Sequence, residues 1–375
     1  MPMIDEEGCV FGVVNIIDLL AVLFAVAVVV AGVALVFSDG PTQQEPELGT
    51  RYVTLDLGSQ PAYVTERIDA GEVSTVPSGP DNLTITDVYV TSDGDGSPTV
   101  TVRARVNGQL ADQSDQETPT FIFAGESLIL GRQLTIETTE YRISGNVTAV
   151  QRTGESLPVS TTEVITESTL PADVAMDLSV GDHYRVSGRT LATIESKTVY
   201  PADSAFDRRV FLGLSLRTIT RQSQPRFSGR VVRPGNELTL QFDPYEITGT
   251  VRESGRTSMR GEVTTTTVVL ELTDVPPTRA ANVQTGLTET IGQTQYAEIT
   301  DVRSEPSEVV LTSDDGNISL REHPRNVDFR LTVDLRTRQR ETGLTFHGEP
   351  VRLNDQVTLN FDYLTVRGVV IEITK

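Results

Sequence analysis

Cysteine, tryptophan and lysine are almost missing from this chain: it has one cysteine, no tryptophan and two lysines among 375 residues. Cys9 has no second cysteine to pair with, which excludes a fold stabilised by intramolecular disulfides and gives a thiol enzyme no support. Because tryptophan is absent and other aromatic residues are few, Val, Leu and Ile must supply the cores. Lys197 and Lys375 are the two lysines, so arginine carries nearly all of the positive charge.

The remaining charge is strongly negative, with 52 acidic and 31 basic residues and a net charge of −21. In molar salt the Debye length falls to about 3 Å, so a surface of hydrated carboxylates keeps a protein soluble without self-repulsion. The composition therefore predicts a halophilic, acidic protein. A high-GC genome that favours arginine codons is a compatible explanation. A field this negative opposes binding to phosphates, and we expect no nucleic-acid partner.

A long apolar run lies near the N-terminus, where residues 19–37 contain no polar side chain. At about 1.5 Å per residue this run nearly matches a hydrocarbon core of roughly 30 Å. A cleaved signal peptide would have a shorter apolar run and a basic leader, whereas this leader is acidic. We therefore predict a cytoplasmic N-terminus and transmembrane anchor over residues 1–38 and a linker over residues 39–50.

Two polar residues precede the apolar run, and three glycosylation sequons follow it. Asn15 and Asp18 would share one helical face at the membrane interface, as a polar contact between anchors or as a wetted helix end. No basic residue precedes Arg51, so the positive-inside rule gives no orientation. The sequons favour export, which predicts a single-pass cell-membrane protein with its bulk outside the cytoplasm. Their acceptor residues are Asn82, Asn146 and Asn317.

Three segments, residues 123–147, 227–251 and 346–370, align with one another without a gap. Each segment begins with Phe-x-Gly, has a turn-forming residue eight positions after the phenylalanine, and ends on a second glycine followed by valine two residues later. Such a register, kept three times, indicates a tandem repeat. The opening phenylalanines are Phe123, Phe227 and Phe346, and the closing glycines are Gly145, Gly249 and Gly368.

We predict three repeats of about 100 residues, over residues 51–152, 160–255 and 263–375. Each opens with an alternating strand and continues with a proline-led short helix that a glycine ends. The prolines are Pro61, Pro171 and Pro277, and the glycines are Gly71, Gly181 and Gly286.

Period-two alternation then predicts sheets with one buried face, as in the run of Phe329, Leu331, Val333 and Leu335. The expected fold class is mainly β: an N-terminal transmembrane helix followed by three tandem small β-barrel or β-sandwich domains, each with one short helix. Each domain is expected to have its own core, like beads on a string.

The N-terminal pattern also resembles a known family. The stretches Ile4-Asp5-Glu6-Glu7-Gly8, Phe11-Gly12 and Asn15-Ile16-Ile17-Asp18 before the apolar run are similar to the start of an uncharacterised family of single-span membrane proteins of haloarchaea and bacteria, catalogued as a domain of unknown function. The resemblance continues through the repeats over most of the chain. The third repeat fits best, including Glu322-His323-Pro324. The common bacterial members carry one such domain, and the family supplies no catalytic residues.

Residues that carry chemistry are few. His183, His323 and His347 lack the spacing of a metal site, although the last two lie in one repeat, and we expect surface positions for all three. No nucleophile elbow, phosphate loop or dinucleotide fingerprint is present. The sequence thus predicts no catalytic, cofactor-binding or metal-binding residues, and we expect that the protein is not an enzyme.

Two acidic turns and one basic cluster stand out among the loops. Residues 92–97 begin like a calcium loop, but Ala104 occupies the position of the required glutamate. This segment and residues 314–317 are typical of loop tips. The densest basic cluster, residues 336–340, fits either an acidic glycan or lipid headgroup or a solvated strand end.

These observations favour a membrane-anchored, non-enzymatic cell-envelope protein that presents repeated β-domains for scaffolding or for binding surface components. The alternative is an oligomeric, ring-forming conduit or lipid-transfer-like envelope protein. A conduit requires an apolar hairpin loop in every repeat. Residues 126–132 qualify, whereas residues 230–236 and 349–355 are more polar. Candidate partners are the lipid membrane, further copies of this chain, and an envelope protein or glycan.

Overall fold

Three eight-stranded antiparallel sheets make up most of the chain, which confirms the predicted mainly β fold. The computed structural model describes residues 9–10, 14–37, 47–75, 81–93, 96–111, 120–202, 204, 206–312, 318–361 and 363–374. The chain divides into two units, one formed by residues 1–49 and 108–127, the other by residues 50–107 and 128–375. The second and third repeats lie entirely in the larger unit.

The N-terminal segment begins with a two-stranded sheet of β1 (Cys9–Val10) and β2 (Val14–Asn15). Helix α1 (Ile16–Phe37) follows and covers the apolar run of the sequence. Side chains of α1 are described for residues 20–33, and all of them are exposed. Within the described part of the chain, no helix combines the length and hydropathy that a membrane-crossing segment requires.

Each repeat contains eight strands and one short helix in the same order. The first repeat consists of β3 (Glu47–Ser59), α2 (Ala62–Thr65), β4 (Val73–Thr75), β5 (Asn82–Ser92), β6 (Pro98–Ala111), β7 (Thr120–Phe123), β8 (Glu126–Ser127), β9 (Gln133–Glu137) and β10 (Arg142–Gln151). The second consists of β11 (Val159–Pro171), α3 (Ala172–Asp177), β12 (His183–Val186), β13 (Arg189–Pro201), β14 (Asp207–Arg221), β15 (Gln224–Phe227), β16 (Arg230–Val231), β17 (Glu237–Phe242) and β18 (Tyr245–Ser254).

The third repeat has the same composition and two longer central strands. It consists of β19 (Glu262–Val275), α4 (Pro277–Ala280), β20 (Thr288–Ile291), β21 (Thr294–Thr312), β22 (Ile318–Arg340), β23 (Gly343–Phe346), β24 (Glu349–Pro350), β25 (Gln356–Phe361) and β26 (Leu364–Thr374).

The three sheets share one topology, so the sequence repeat is also a structural repeat. The main path in the first sheet is β4-β5-β6-β3-β10-β9, with β7 paired to β6 and β8 paired to β7. The other two sheets have the same path shifted by one repeat, β12-β13-β14-β11-β18-β17 and β20-β21-β22-β19-β26-β25. The strand that opens each repeat therefore lies inside its sheet, between the fourth strand of the repeat and the last one.

Each sheet curls into a half-barrel, because the two ends of its main path approach each other. In the first repeat the Glu137 backbone N–H donates to Ser74 Oγ at 3.0 Å. In the third repeat the Asn360 N–H donates to Glu289 Oε1 at 2.7 Å from the equivalent positions. Tyr184 occupies this position in the second repeat, and its ring centroid lies 6.5 Å from that of Phe242.

The Phe-x-Gly motif is a tight hairpin turn. In the third repeat Phe346 pairs with Glu349, and the two residues between them have φ values of 50° and 87°. Two consecutive positive φ values are typical of a type I′ turn, which favours glycine at its second position. The phenylalanine of all three copies is buried, so the motif fixes both a turn and a core contact.

The closing glycine of each segment permits a close approach between strands. A Cβ atom at Gly145 would lie 2.5 Å from Leu57 Cδ2, and one at Gly249 would lie 2.7 Å from Ser168 Oγ. A register shift in the strand pairing follows this glycine in the first repeat. Only glycine leaves room for the neighbouring side chain here.

The buried core of the third repeat extends to a few side chains of the second, so these two repeats pack against each other, unlike beads on a string. One buried cluster contains the core of the third repeat together with Ile165, Tyr200 and Phe211 of the second. The reason is that two aromatic side chains of the second repeat, Tyr200 on β13 and Phe211 on β14, reach the third repeat, where the Tyr200 and Tyr296 ring centroids lie 5.4 Å apart. The predicted burial of Phe329 and of the alternating leucines and valine after it is confirmed.

Candidate functional site at the junctions between repeats

Successive repeats dock through the same structural elements. At the first junction, Ser228 in the Phe-x-Gly turn of the second repeat lies with its Oγ 3.2 Å from Thr91 Oγ1 of β5. At the second junction, His347 in the equivalent turn lies with its ring centroid 5.5 Å from that of Tyr200 on β13. Thr91 and Tyr200 occupy equivalent strand positions, so one docking geometry is used twice.

A second docking contact is made at the short helix of the preceding repeat. Arg189, which begins β13, donates from Nη2 to the Ile68 carbonyl at 2.6 Å and to Asp69 Oδ1 at 2.8 Å. Both acceptors follow α2. In the next pair of repeats, Gly292 lies between β20 and β21, and a Cβ there would be 3.5 Å from Met176 Cε of α3. The hairpin of each later repeat thus faces the helix of the repeat before it.

The first junction is filled by side chains. Tyr89 is 2% exposed, and its hydroxyl donates to the Arg217 carbonyl at 3.1 Å. The Arg217 guanidinium lies 5.7 Å from the centre of the Tyr89 ring and donates to the Val88 carbonyl at 3.2 Å. Leu157 and Ile219 complete the buried cluster. Burial raises the pKa of Tyr89, so its hydroxyl stays neutral.

The second junction lacks these filling side chains. At the equivalent positions Tyr89 is replaced by Thr198, Leu157 by Gly261 and Ile219 by Arg338. The result is an open cleft of about 350 Å³ between the second and third repeats. Two small residues and one charged residue therefore turn a packed contact into a site that is open to solvent.

Three basic side chains line this cleft: Lys197, Arg336 and Arg338. Arg338 Nη1 donates to the Gly261 carbonyl at 3.3 Å. Arg336 is exposed and has no carboxylate within ion-pair distance among the residues that the structure describes. Burial lowers the pKa of Lys197, whose Nζ donates to carbonyls that end α3. These carbonyls belong to Ala175, Met176 and Leu178.

The inner wall of the cleft is a cluster of aromatic rings. The Tyr200 and Tyr296 centroids are 5.4 Å apart, and the Tyr296 hydroxyl donates to the Val199 carbonyl at 2.8 Å. Burial is the main cause that raises the pKa of Tyr296 to about 12. His347 stacks on Phe346 with a centroid distance of 3.6 Å.

His347 is half-buried against a buried carboxylate, so the expectation of a surface position is wrong for this histidine. Its side chain is 12% exposed, and Nε2 lies 3.1 Å from Oε2 of Glu289, whose side chain is 1% exposed. The two atoms lie at ion-pair distance without hydrogen-bond geometry. The turn places His347 against the rings of the second repeat, which local sequence did not indicate. His183 is exposed and His323 is half-buried.

An inter-repeat ion pair lies beside His347 and Glu289. Arg209 Nη1 donates to Glu349 Oε1 at 2.6 Å, and Arg209 Nε lies 3.4 Å from Glu167 Oε1. Arg209 and Glu167 belong to the second repeat and Glu349 to the third. The arginine therefore links the two repeats through carboxylates on both sides of the junction.

A further groove of about 540 Å³ lies within the third repeat, between β19, α4 and β26. In the second repeat the Tyr245 hydroxyl covers the corresponding region by donating to Asp177 Oδ2 at 2.7 Å. Leu364 occupies the equivalent position in the third repeat and has no such hydroxyl. Arg279 and Arg367 line the groove, and both are exposed.

The predicted glycosylation acceptors lie in different environments. Asn146 is exposed on β10, whereas Asn82 is half-buried and its Oδ1 accepts a hydrogen bond from Asn107 Nδ2 at 2.8 Å. Asn317 lies outside the described residues. Glycosylation at these positions stays a prediction.

The predicted interface pair is divided between two elements. Asn15 ends β2, one residue before α1 begins, and Asp18 lies in the first turn of α1. The role of Asn15 and Asp18 stays a prediction, since the structure describes the backbone of these residues but not their side chains.

The acidic turns and the basic cluster are placed as follows. Asp93 Oδ1 accepts from the Ser97 N–H at 2.9 Å, which fits a loop tip, while residues 94–95 and 314–317 lie outside the described part. The described residues hold no group of three or more potential metal ligands.

The basic cluster of residues 336–340 is divided between two environments. Arg336 and Arg338 line the cleft, and Arg340 Nη1 lies 4.0 Å from Glu253 Oε1.

The fold and the junctions define a tandem-repeat β-protein whose repeats are docked. A family model, "Domain of unknown function (DUF4330)", matches residues 1–60 and 252–374, about half of the chain. The chain is therefore similar to an uncharacterised family over its N-terminal segment with β3 and over its third repeat. The expectation that the third repeat fits the family best is confirmed. The match covers about half of the chain, whereas we expected it to cover most of the chain. Comparisons with curated proteins and with solved structures found no match.

Proposed function

We propose that this chain is a membrane-anchored, non-enzymatic cell-envelope protein. In this proposal α1 is a single-pass anchor, and the three repeats form a stiff array outside the cytoplasm for scaffolding or for binding surface components. The observation that carries the proposal is that one docking geometry joins the repeats at both junctions. A stiff array suits display and spacing, because its ends keep a fixed separation.

The anchor is supported by the surface of α1. Its described side chains are apolar on all sides of the helix and are exposed, including Phe24 at 73%. A helix that is apolar all round requires a covering environment, and lipid is the one that a single helix of this composition fits.

A conduit is less well supported by the loops that follow the Phe-x-Gly turns. Ile129 and Leu130 are exposed in the first repeat. All three repeats bury an aliphatic residue in this loop: Leu128, Val232 and Val351. The second and third repeats have arginine where the first has Ile129, and at the position of Leu130 they have proline and the exposed Leu353. An axis lined by apolar loops requires the same apolar side chains in every repeat, so we propose the tether rather than the conduit.

The acidic composition of the chain supports the proposal that this array works in a high-salt environment. A net charge of −21 on one chain produces self-repulsion at low ionic strength, and molar salt screens it. We expect the melting temperature to rise steadily between about 0.1 and 3 M KCl. A melting temperature that is independent of KCl, or that falls with it, would contradict the halophilic interpretation.

Membrane fractionation of the full chain tests the anchor. The native chain should stay in the membrane pellet after an alkaline carbonate wash. The double variant Val26→Arg and Val29→Arg should move to the supernatant, because each arginine costs about 2.5–3.5 kcal/mol at the centre of a helix span. The matched control is Val310→Arg, which changes an equally exposed valine of β21 and should stay in the pellet.

Orientation and copy number are tested on the same material. Protease added outside sealed cells should remove the three repeats, and their survival would contradict the outward placement. A detergent-solubilised particle with one copy supports the tether. A closed ring of several copies would replace it with the conduit.

A further inference from the structure

We propose that the cleft between the second and third repeats binds an anionic carbohydrate, whose acidic group Arg336 and Arg338 hold. The proposal goes beyond the anchoring function and rests on the junction geometry alone. The ligand class follows from three features of the cleft: its positive charge, the absence of an ion-pair partner for Arg336 among the described residues, and the chemistry of the other lining side chains.

The charge of the cleft is opposite to that of the chain. The fourteen residues that line it include three basic side chains and no carboxylate, in a chain with 52 acidic residues. The Lys197 ammonium group donates its hydrogen bonds to carbonyls at the end of α3. Arg336 and Arg338 therefore supply the charge that a ligand meets, and arginine binds carboxylates and sulfates through two parallel hydrogen bonds.

The first junction shows what an arginine at this position does when it has a partner. Arg217 lies over the Tyr89 ring and donates to the Val88 carbonyl. Arg336 occupies the equivalent position, but Thr198 replaces the tyrosine, and Arg336 has no ion-pair partner among the described residues. The second junction thus keeps the arginine, as Arg336, but lacks the tyrosine ring over which the arginine of the first junction lies.

The remaining lining favours a sugar over a lipid. Thr198, Gln293 and Thr294 offer hydroxyl and amide groups that can bond sugar hydroxyls. Val263 is 43% exposed and gives a small apolar surface on which a sugar ring can rest. The cleft volume of about 350 Å³ lies within the about 300–1,000 Å³ of small-molecule sites and offers no deep apolar slot for an acyl chain.

Calorimetric titration of the full chain in detergent tests the proposal. The probes are trigalacturonate, the neutral sugar maltotriose, inorganic sulfate and inorganic phosphate, in about 1 M KCl to screen the net charge of the chain. We expect saturable binding of trigalacturonate and at least about tenfold weaker binding of the other three, since charge and hydroxyl contacts both contribute.

Four variants assign the binding to the cleft. Arg336→Met and Arg338→Ile should each weaken trigalacturonate binding about tenfold or more, because each removes charged hydrogen bonds. Thr198→Tyr should do the same by filling the cleft as Tyr89 fills the first junction. Arg367→Met, which removes an exposed arginine of the other groove, should leave binding unchanged. The melting temperature of each variant shows that the fold is retained.

Several results would overturn the proposal. They are the absence of saturable trigalacturonate binding, equal binding of sulfate or phosphate, and equal loss of binding in Arg367→Met. Binding of the native chain, but not of Arg336→Met, to vesicles of anionic phospholipid with no response to trigalacturonate would replace the sugar by a lipid headgroup.

Discussion

The two junctions of this chain share one docking geometry and differ in what fills it. In the first, Tyr89 and Ile219 pack into a buried cluster beneath a stacked arginine. In the second, Thr198 and Arg338 leave a cleft, and the contact moves to the rings around His347. The same docking geometry therefore accommodates different filling side chains: a packed cluster at the first junction and an open cleft beside a ring cluster at the second.

The largest expected difference comes from truncating the equivalent residues Tyr89 and Thr198. Tyr89→Ala should lower the free energy of unfolding by about 3–5 kcal/mol, because it removes a buried ring and its hydrogen bond. Thr198→Ala should change it by less than about 0.5 kcal/mol, as expected for a residue at an open cleft. Urea unfolding measures both. Equal effects would show that the two junctions are packed alike.

The closing contacts of the half-barrels give a second comparison. Glu289→Ala removes a buried carboxylate that accepts from the Asn360 N–H and faces His347, and should cost about 2–3 kcal/mol. Ser74→Ala removes the equivalent neutral acceptor of the first repeat and should cost about 1 kcal/mol. Thermal unfolding of the two variants measures the difference. A larger loss for Ser74→Ala would contradict a special role of Glu289 and His347.

Two substitutions at the second junction reproduce the filling side chains of the first. The double variant Thr198→Tyr and Arg338→Ile supplies the ring and the aliphatic side chain that the cleft lacks. Filling a cavity commonly adds about 0.5–2 kcal/mol, and we expect a gain in this range. Denaturant unfolding measures it, with Thr198→Ser as the control that fills nothing. A loss of stability would show that the junctions differ in backbone geometry as well as in filling.

The smallest expected effect concerns alkaline pH. Burial raises the folded-state pKa of Tyr296 to about 12, above the value of about 10 in the unfolded chain. The folded state therefore holds a proton that the unfolded state releases between pH 10 and 12. The contribution of Tyr296 is fully present below pH 10 and is lost as pH rises through 12.

Tyr296→Phe should accordingly make the free energy of unfolding fall less steeply between pH 10 and 12, by about 1 kcal/mol over this range. The exposed Tyr363→Phe is the matched control and should leave the slope unchanged. An unchanged slope in Tyr296→Phe would show that its hydroxyl is not desolvated at the junction.

Local signals in the sequence predicted the repeated elements, whereas the junctions depend on contacts between distant residues. The short helices begin directly after Pro61 and Pro171 and at Pro277, as expected for proline at a helix start. They end four to six residues before Gly71, Gly181 and Gly286, so the prediction that these glycines end the helices is wrong, although all three have positive φ. The burial of His347 was not predictable, because its partners Tyr200 and Glu289 are far from it in sequence. Comparing Thr198 with Tyr89 would have indicated the cleft, but only once the strands are in register.

The most direct test of the stiff, docked array is the distance between its end repeats. Spin labels at Tyr63→Cys and Tyr363→Cys, both at exposed positions, report this distance in the full chain with Cys9→Ser, by electron double resonance. We expect one narrow distance distribution, which widens when Tyr89→Ala is added. A broad distribution in the chain with an intact Tyr89 would contradict a docked array and return the repeats to independent beads.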